Sequence, residues 1–119
     1  MVSQYDLLAS FAKLVGVELA DNEAGDSRDT LDTFLGKSDK GQEYTLKESR
    51  TVALRKGAWK YIPGKLNMKT KRIDPPELYN LDTDIGETTN VIEKFPEVAK
   101  DLDALIKKLK ESKGIRNVN

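Results

Sequence analysis

Large apolar residues recur along this chain with two different periods, and the change of period separates a helical start, an extended middle and a helical end. Leu7, Leu8, Phe11, Leu14 and Val15 fall at intervals of three and four, which places them on one stripe of a helix predicted over Ser3 to Val15. Ser3 can cap its start, Asp6 suits the first turn, and Gly16 supplies the stop. Such a stripe must be buried against something. Ala20 to Arg28 is polar and reads as a surface loop, leading to a short helix over Thr30 to Leu35 that Asp29 caps and Gly36 ends.

Beyond the polar link Ser38 to Gln42 the period falls to two. Tyr44 to Leu46, Arg50 to Arg55 and Ala58 to Ile62 read as strands, with Trp59 and Tyr61 on one face of the third. Lys56-Gly57 predicts a tight hairpin, because glycine takes the positive φ such turns demand. Pro63-Gly64 ends that strand, Lys65 to Asp74 reads as a loop able to pair at an edge, and Glu77 to Leu81 is short and extended after two prolines. The pattern is an antiparallel meander.

Helical periodicity returns at the end. Asp82 to Thr89 is rich in turn residues, and Asn90 can cap a helical turn with Glu93 three residues on. Pro96 suits the first position of a final helix whose Val98, Leu102, Leu105, Ile106 and Leu109 form an apolar stripe expected to lie across the sheet. Gly114 is placed to end it, with Ile115 to Asn119 read as a frayed tail.

Composition narrows the possible functions. A length of 119 residues suits one modest core, and 20 basic residues balance 20 acidic ones. Such a balance creates no long-range field toward nucleic acid or an anionic membrane, so neither is an expected partner. The basic run Lys65 to Arg72 is the local exception, read first as a solvated loop and second as a polyanion site. No apolar run approaches the roughly 20 residues of a membrane span, and the first residues show neither the basic nor the apolar region of a signal peptide. Without cysteine or histidine, disulfides, thiolate or imidazole metal sites and histidine-based triads are excluded from these residues.

The remaining constellations are weak. Asp82-x-Asp84-x-Gly86-Glu87 has the alternating carboxylates of a calcium loop, but its glycine comes one position early and the terminal glutamate is absent. An acidic turn using Gly86 in a left-handed conformation is the expected reading. Carboxylate pairs such as Glu97 with Asp101 are what chance provides among 20 acidic residues. Gly25-Asp26-Ser27 and Gly36-Lys37-Ser38 lack the length of a phosphate-binding loop. Trp59 and Tyr61 are expected in the core with Lys60 toward solvent, the alternative being a stacking surface for a sugar.

Several segments together resemble one family. Gln4 to Leu19, with its Asp6-Leu7 pair and Leu14-Val15-Gly16-Val17, Gly25 to Leu31 with Phe34-Leu35-Gly36-Lys37, Val52 to Ile62 and Glu77 to Asn90 are similar to successive segments near the end of formylglycine-dependent sulfatases. The most specific are Ala53-x-Arg55-x-Gly57-x-Trp59-Lys60 and Glu77-Leu78-Tyr79-Asn80-Leu81-x-x-Asp84-x-Gly86-Glu87-x-x-Asn90. Departures include Ala9-Ser10 for the usual Pro-Thr, Ala20 for the proline of Leu-Pro, and Asp32 for another proline.

The resemblance implies an α+β fold: an antiparallel sheet of about four strands with a carboxy-terminal helix packed on it. It also implies an amino-terminal helix from a preceding alkaline-phosphatase-like catalytic domain. Residues 1–37 would be the end of that domain with a connecting loop, and residues 38–119 the carboxy-terminal subdomain. The expected function is that of the terminal part of a sulfatase acting on aryl or carbohydrate sulfates, inactive by itself, with the catalytic domain as partner. By resemblance the whole enzyme is exported, periplasmic or secreted, and uses calcium and formylglycine. No cofactor is expected in this chain, which has no Cys-x-Pro-Ser-Arg or Ser-x-Pro-Ser-Arg motif. Lys47, Glu48, Ser49 and Arg50 fall near the family segment that faces the active site, and so are placed at the rim of the substrate cleft. The rival is a free-standing carbohydrate- or protein-binding module using the Trp59 and Tyr61 face. It needs those rings in solvent, whereas a docking domain buries them and exposes Leu7, Phe11 and Leu14.

Overall fold

The computed structural model describes residues 1–48 and 51–112. Ten elements follow in order: a 3-10 turn at Gln4–Asp6, α1 (Leu7–Leu14), α2 (Leu31–Phe34), β1 (Tyr44–Glu48), β2 (Val52–Lys56), β3 (Trp59–Ile62), β4 (Lys65–Asn67), β5 (Arg72–Asp74), β6 (Glu77–Asn80) and α3 (Pro96–Glu111). They divide into two compact units, Met1–Thr45 with Lys107–Asn119 and Leu46–Ile106. The tail Ile115 to Asn119 and its predicted stop Gly114 lie outside the described residues.

In the first unit, Ser3 caps the chain as expected: its hydroxyl accepts from the Tyr5 amide and its own amide donates to Asp6. The opening turn is 3-10, so the helix proper begins only at Leu7. Its large apolar stripe is exposed as the docking reading expects, except at Leu7. Ala9, Ser10 and Ala12 face inward, while Leu8, Phe11, Leu14 and Val15 are 55 to 72% exposed and Leu7 is half-buried. Small residues allow close approach on the inner side, and among the described residues nothing covers the large ones. Gly16, at φ +73°, ends the helix. The N-cap of α2 is Thr30, one residue later than the predicted Asp29, and it makes no side-chain cap bond; Asp29 accepts from the Leu31 amide at 3.0 Å instead, and Gly36 at φ +69° closes the helix as predicted.

The second unit holds most of an antiparallel sheet in the order β1-β2-β3-β6, whose strand β1 begins two residues earlier, at Tyr44. Its centre is a row across three strands, Leu54 opposite Tyr61 and Tyr61 opposite Leu78, each at most 5% exposed. Gly57 takes φ +56° at the first turn position between Lys56 and Trp59, the requirement of a type II′ hairpin. Above the row lies α3, whose Ala99, Leu102 and Ile106 are buried and whose Asp103 accepts the Tyr61 hydroxyl at 3.2 Å. Pro96 begins that helix, where its missing amide would have had no partner. Burying a leucine such as Leu54 contributes about 2 kcal/mol, so this row with the helix stripe is the main source of the unit's stability.

The segment Lys65 to Asp74 forms a two-stranded ribbon of its own, β4 with β5, instead of joining the edge of the main sheet. Prolines on either side, at 63 and at 75 and 76, remove the amides that would carry the ladder across.

Candidate functional site

The richest polar structure in the second unit is the turn after β6. Asn80 starts it: its side chain accepts the Asp82 amide at 3.1 Å and its carbonyl the Asp84 amide at 2.8 Å. Both carboxylate oxygens of Asp84 then collect the amides of Thr88 and Thr89 and the Thr88 hydroxyl at 2.8 to 3.0 Å. Those donors, the Thr88 amide first, hold Asp84 below the usual carboxylate range. The acidic turn is therefore self-contained, and among the described residues no group of three or more acidic side chains is placed to hold a metal. Asn90 completes it by accepting from the Leu78 and Ile92 amides at 3.0 and 3.1 Å, which fastens the turn to the free side of β6.

Two details correct the expectations. Glu87, not Gly86, takes the left-handed conformation, at φ +55°. Lys60 does not simply point to solvent: its ammonium meets both Glu87 oxygens at 2.6 Å. The left-handed backbone costs about 1 kcal/mol for a residue with a Cβ, and the two charge-assisted bonds offset it. Tyr79, directly across from Lys60, donates to Glu77 at 2.9 Å; burial first, and that carboxylate second, push its hydroxyl pKa up.

On the opposite face Tyr61 is 5% exposed, and burial followed by the charge of Asp103 pushes its pKa up to about 12. Trp59 is half-buried and meets Phe95 with ring centroids 5.0 Å apart, tilted by 58°. Lys47 and Glu48 are exposed at the end of β1, while Ser49 and Arg50 lie outside the described residues.

The first unit contains a buried polar cluster that sequence reasoning did not single out. Asp6 is fully buried; its carboxylate accepts the Ser3 amide at 2.8 Å, the Arg28 amide at 3.2 Å and the Gln42 side-chain amide. Ser27 accepts the Ala9 amide at 2.9 Å and Ser10 the Thr30 amide at 3.0 Å. Arg28 lies over the Tyr44 ring at 4.6 Å and donates to a hydroxyl, that of Tyr44 itself, at 2.5 Å. Apart from the Ser3 amide, three residues from Asp6, these partners are 16 to 36 positions apart along the chain, so no local spacing announces them. They pin α1 to the loop before α2 and to residue 42. The arrangement satisfies backbone donors and presents no reactive group, which makes it structural.

No protein-family model matches the chain. Its fold and sequence nevertheless place it in one class: it is homologous to sulfatases, over a carboxy-terminal part of them. Among the relatives, N-acetylgalactosamine-6-O-sulfatase of Bacteroides thetaiotaomicron is 34% identical over 120 residues, covering 92% of this chain and 24% of that protein. Arylsulfatase K of Danio rerio is 34% identical over 73 residues, covering 58% of this chain and 13% of that one. A solved structure named BT33336S-sulf, from work on the metabolism of multiple glycosaminoglycans by Bacteroides thetaiotaomicron, superimposes with a TM-score of 0.77 at 32% identity, covering 90% of this chain and 24% of that one. The crystal structure of Ps i-CgsB, at 23% identity and a TM-score of 0.71, shares the fold over 98% of this chain and 26% of its own. The chain thus spans about a quarter of the length of the more extensive of these matches.

Proposed function

We propose that the chain is the carboxy-terminal part of a sulfatase whose whole protein hydrolyses sulfate esters of a carbohydrate or aryl substrate. The observation that carries this is the 34% identity to N-acetylgalactosamine-6-O-sulfatase across 92% of the chain; a 6-sulfated amino sugar is the first substrate to try. Residues 1–37 are assigned to the end of the catalytic domain and its connection, residues 38–119 to the subdomain that packs on it. Lys47, Glu48, Ser49 and Arg50 form the rim of the cleft. An exported location follows for the whole enzyme.

Calcium and formylglycine belong to that whole enzyme. The residues present do not fit either group: there is no cysteine and no motif that yields formylglycine, and Asp84 spends its oxygens on backbone amides. No step of sulfate hydrolysis is assigned to these side chains, and the chain by itself is expected to be inactive. Exposure of the α1 stripe supports the docking role, because Phe11 and Leu14 stand more than half in solvent. The rival binding module is disfavoured by Tyr61, which is buried and bonded to Asp103.

Sulfate release from N-acetylgalactosamine 6-sulfate and from an aryl sulfate tests the reading. The enzyme that contains this chain together with the rest of the sulfatase is expected to release sulfate, and the 119-residue chain none. Turnover by the chain alone would defeat it, as would an inactive whole enzyme with formylglycine formed and calcium bound.

A further inference from the structure

We infer that the β4–β5 ribbon is a secondary binding site for an anionic, sulfated polysaccharide. The choice of polymer rests on the sulfatase reading; the site itself rests on the ribbon. Residues 65–73 hold Lys65, Lys69, Lys71 and Arg72 and no carboxylate, in a chain whose 20 basic and 20 acidic residues balance overall. The register sets Lys65 opposite Asp74, so the uncompensated charge lies at the tip, on Lys69, Lys71 and Arg72. All three are exposed.

The tip is built, not slack. Asn67 accepts the amides of Lys69 and Thr70 at 3.1 and 3.3 Å through its side chain, and the amide of Lys71 at 2.7 Å through its carbonyl. Lys71 stands at φ +55°, a position that favours glycine. A lysine there costs about 1 kcal/mol, and its side chain is exposed next to Arg72 in sequence. Strain of this kind points to use of the side chain. The other face of the ribbon offers Leu66 opposite Ile73, 53% and 74% exposed, as an apolar surface for the C–H face of a sugar ring. Residues 65–74 contain no aromatic ring, so the stacking platform of single-stranded nucleic-acid readers is absent.

The test is calorimetric titration of the 119-residue chain with chondroitin 6-sulfate, at low and at physiological ionic strength. Unsulfated chondroitin and phosphatidylserine vesicles are run beside it. Binding that weakens with salt and prefers the sulfated polymer is expected, and the triple variant Lys69→Ser, Lys71→Gly, Arg72→Ser should bind roughly tenfold more weakly. Its thermal midpoint should not fall, because glycine relieves the left-handed position. A triple variant that binds as well as the native chain overturns the inference, as does a native chain that binds no polysaccharide or prefers the vesicles. Sulfate release from the monosaccharide by the whole enzyme does not involve the ribbon: its loss in the native enzyme fails the sulfatase reading, while unimpaired polymer binding by the variant fails this site.

Discussion

The two units of this molecule differ in the polar groups they bury. Leu46–Ile106 has an apolar core of Leu54, Tyr61, Leu78, Ala99, Leu102 and Ile106, with the Tyr61 hydroxyl bonded to Asp103 of α3. The unit that begins at Met1 buries Asp6, Ser10, Ser27, Thr30 and Gln42 beside Ala9, Ala12, Leu31, Tyr44 and Leu109, and turns Leu8, Phe11 and Leu14 outward. A sheet with a helix on it satisfies its hydrophobic faces internally. A helix that shows its large side chains to water does not, and its polar contacts fix its position without supplying much burial energy. The contrast fits the proposed docking role: one region closes over its own apolar face, the other leaves the large side chains of α1 exposed.

Truncating the closed region should cost most. Leu54→Ala leaves a cavity at a site with no exposure, and a loss of about 3 to 4 kcal/mol in urea unfolding is expected; a loss below about 1 kcal/mol would erase the contrast. Asp6→Ala comes next, since it strips the amides of Ser3 and Arg28 and the side chain of Gln42 of their acceptor. About 2 to 3 kcal/mol should disappear, and the hydrogen exchange of those two amides should rise before that of the sheet.

A smaller effect follows from alkali. The Tyr61 hydroxyl ionises near 10 when unfolded and at about 12 in the fold, so the unfolded chain loses its proton first. Stability from this group is therefore complete below pH 10 and declines as pH rises toward 12. Tyr61→Phe should flatten that part of the stability profile measured by chemical denaturation. The least effect belongs to Phe11→Ser, which removes a ring already 55% exposed and should shift stability by no more than about 0.5 kcal/mol. In the whole enzyme the same change should lower the thermal midpoint clearly, and equal small shifts in both would refute the docking role of α1.

Much of the architecture was legible because its causes are local. The Gly57 hairpin, the Pro96 start, the Gly16 and Gly36 stops and the Ser3 cap each depend on one residue's backbone preference or on a partner a few positions away. The site was less legible. Lys47 and Glu48 are exposed where the resemblance put them, but exposure assigns no role. Lys60 with Glu87 joins residues 27 apart, and the Asp6 cluster spans up to 36, distances over which sequence spacing carries no signal.

Sequence alone therefore determined the order and kind of most elements, the sulfatase resemblance and the balance of charge, because periodicity, turn chemistry and composition act within a few residues. Only the tertiary structure decided which side of α1 is buried, which residue of the acidic turn adopts the left-handed backbone, and that Lys65 to Asp74 folds on itself as a ribbon with its cations at the tip. Each of those outcomes is a competition between distant groups for the same space or the same hydrogen bond, and it is resolved when the chain is assembled.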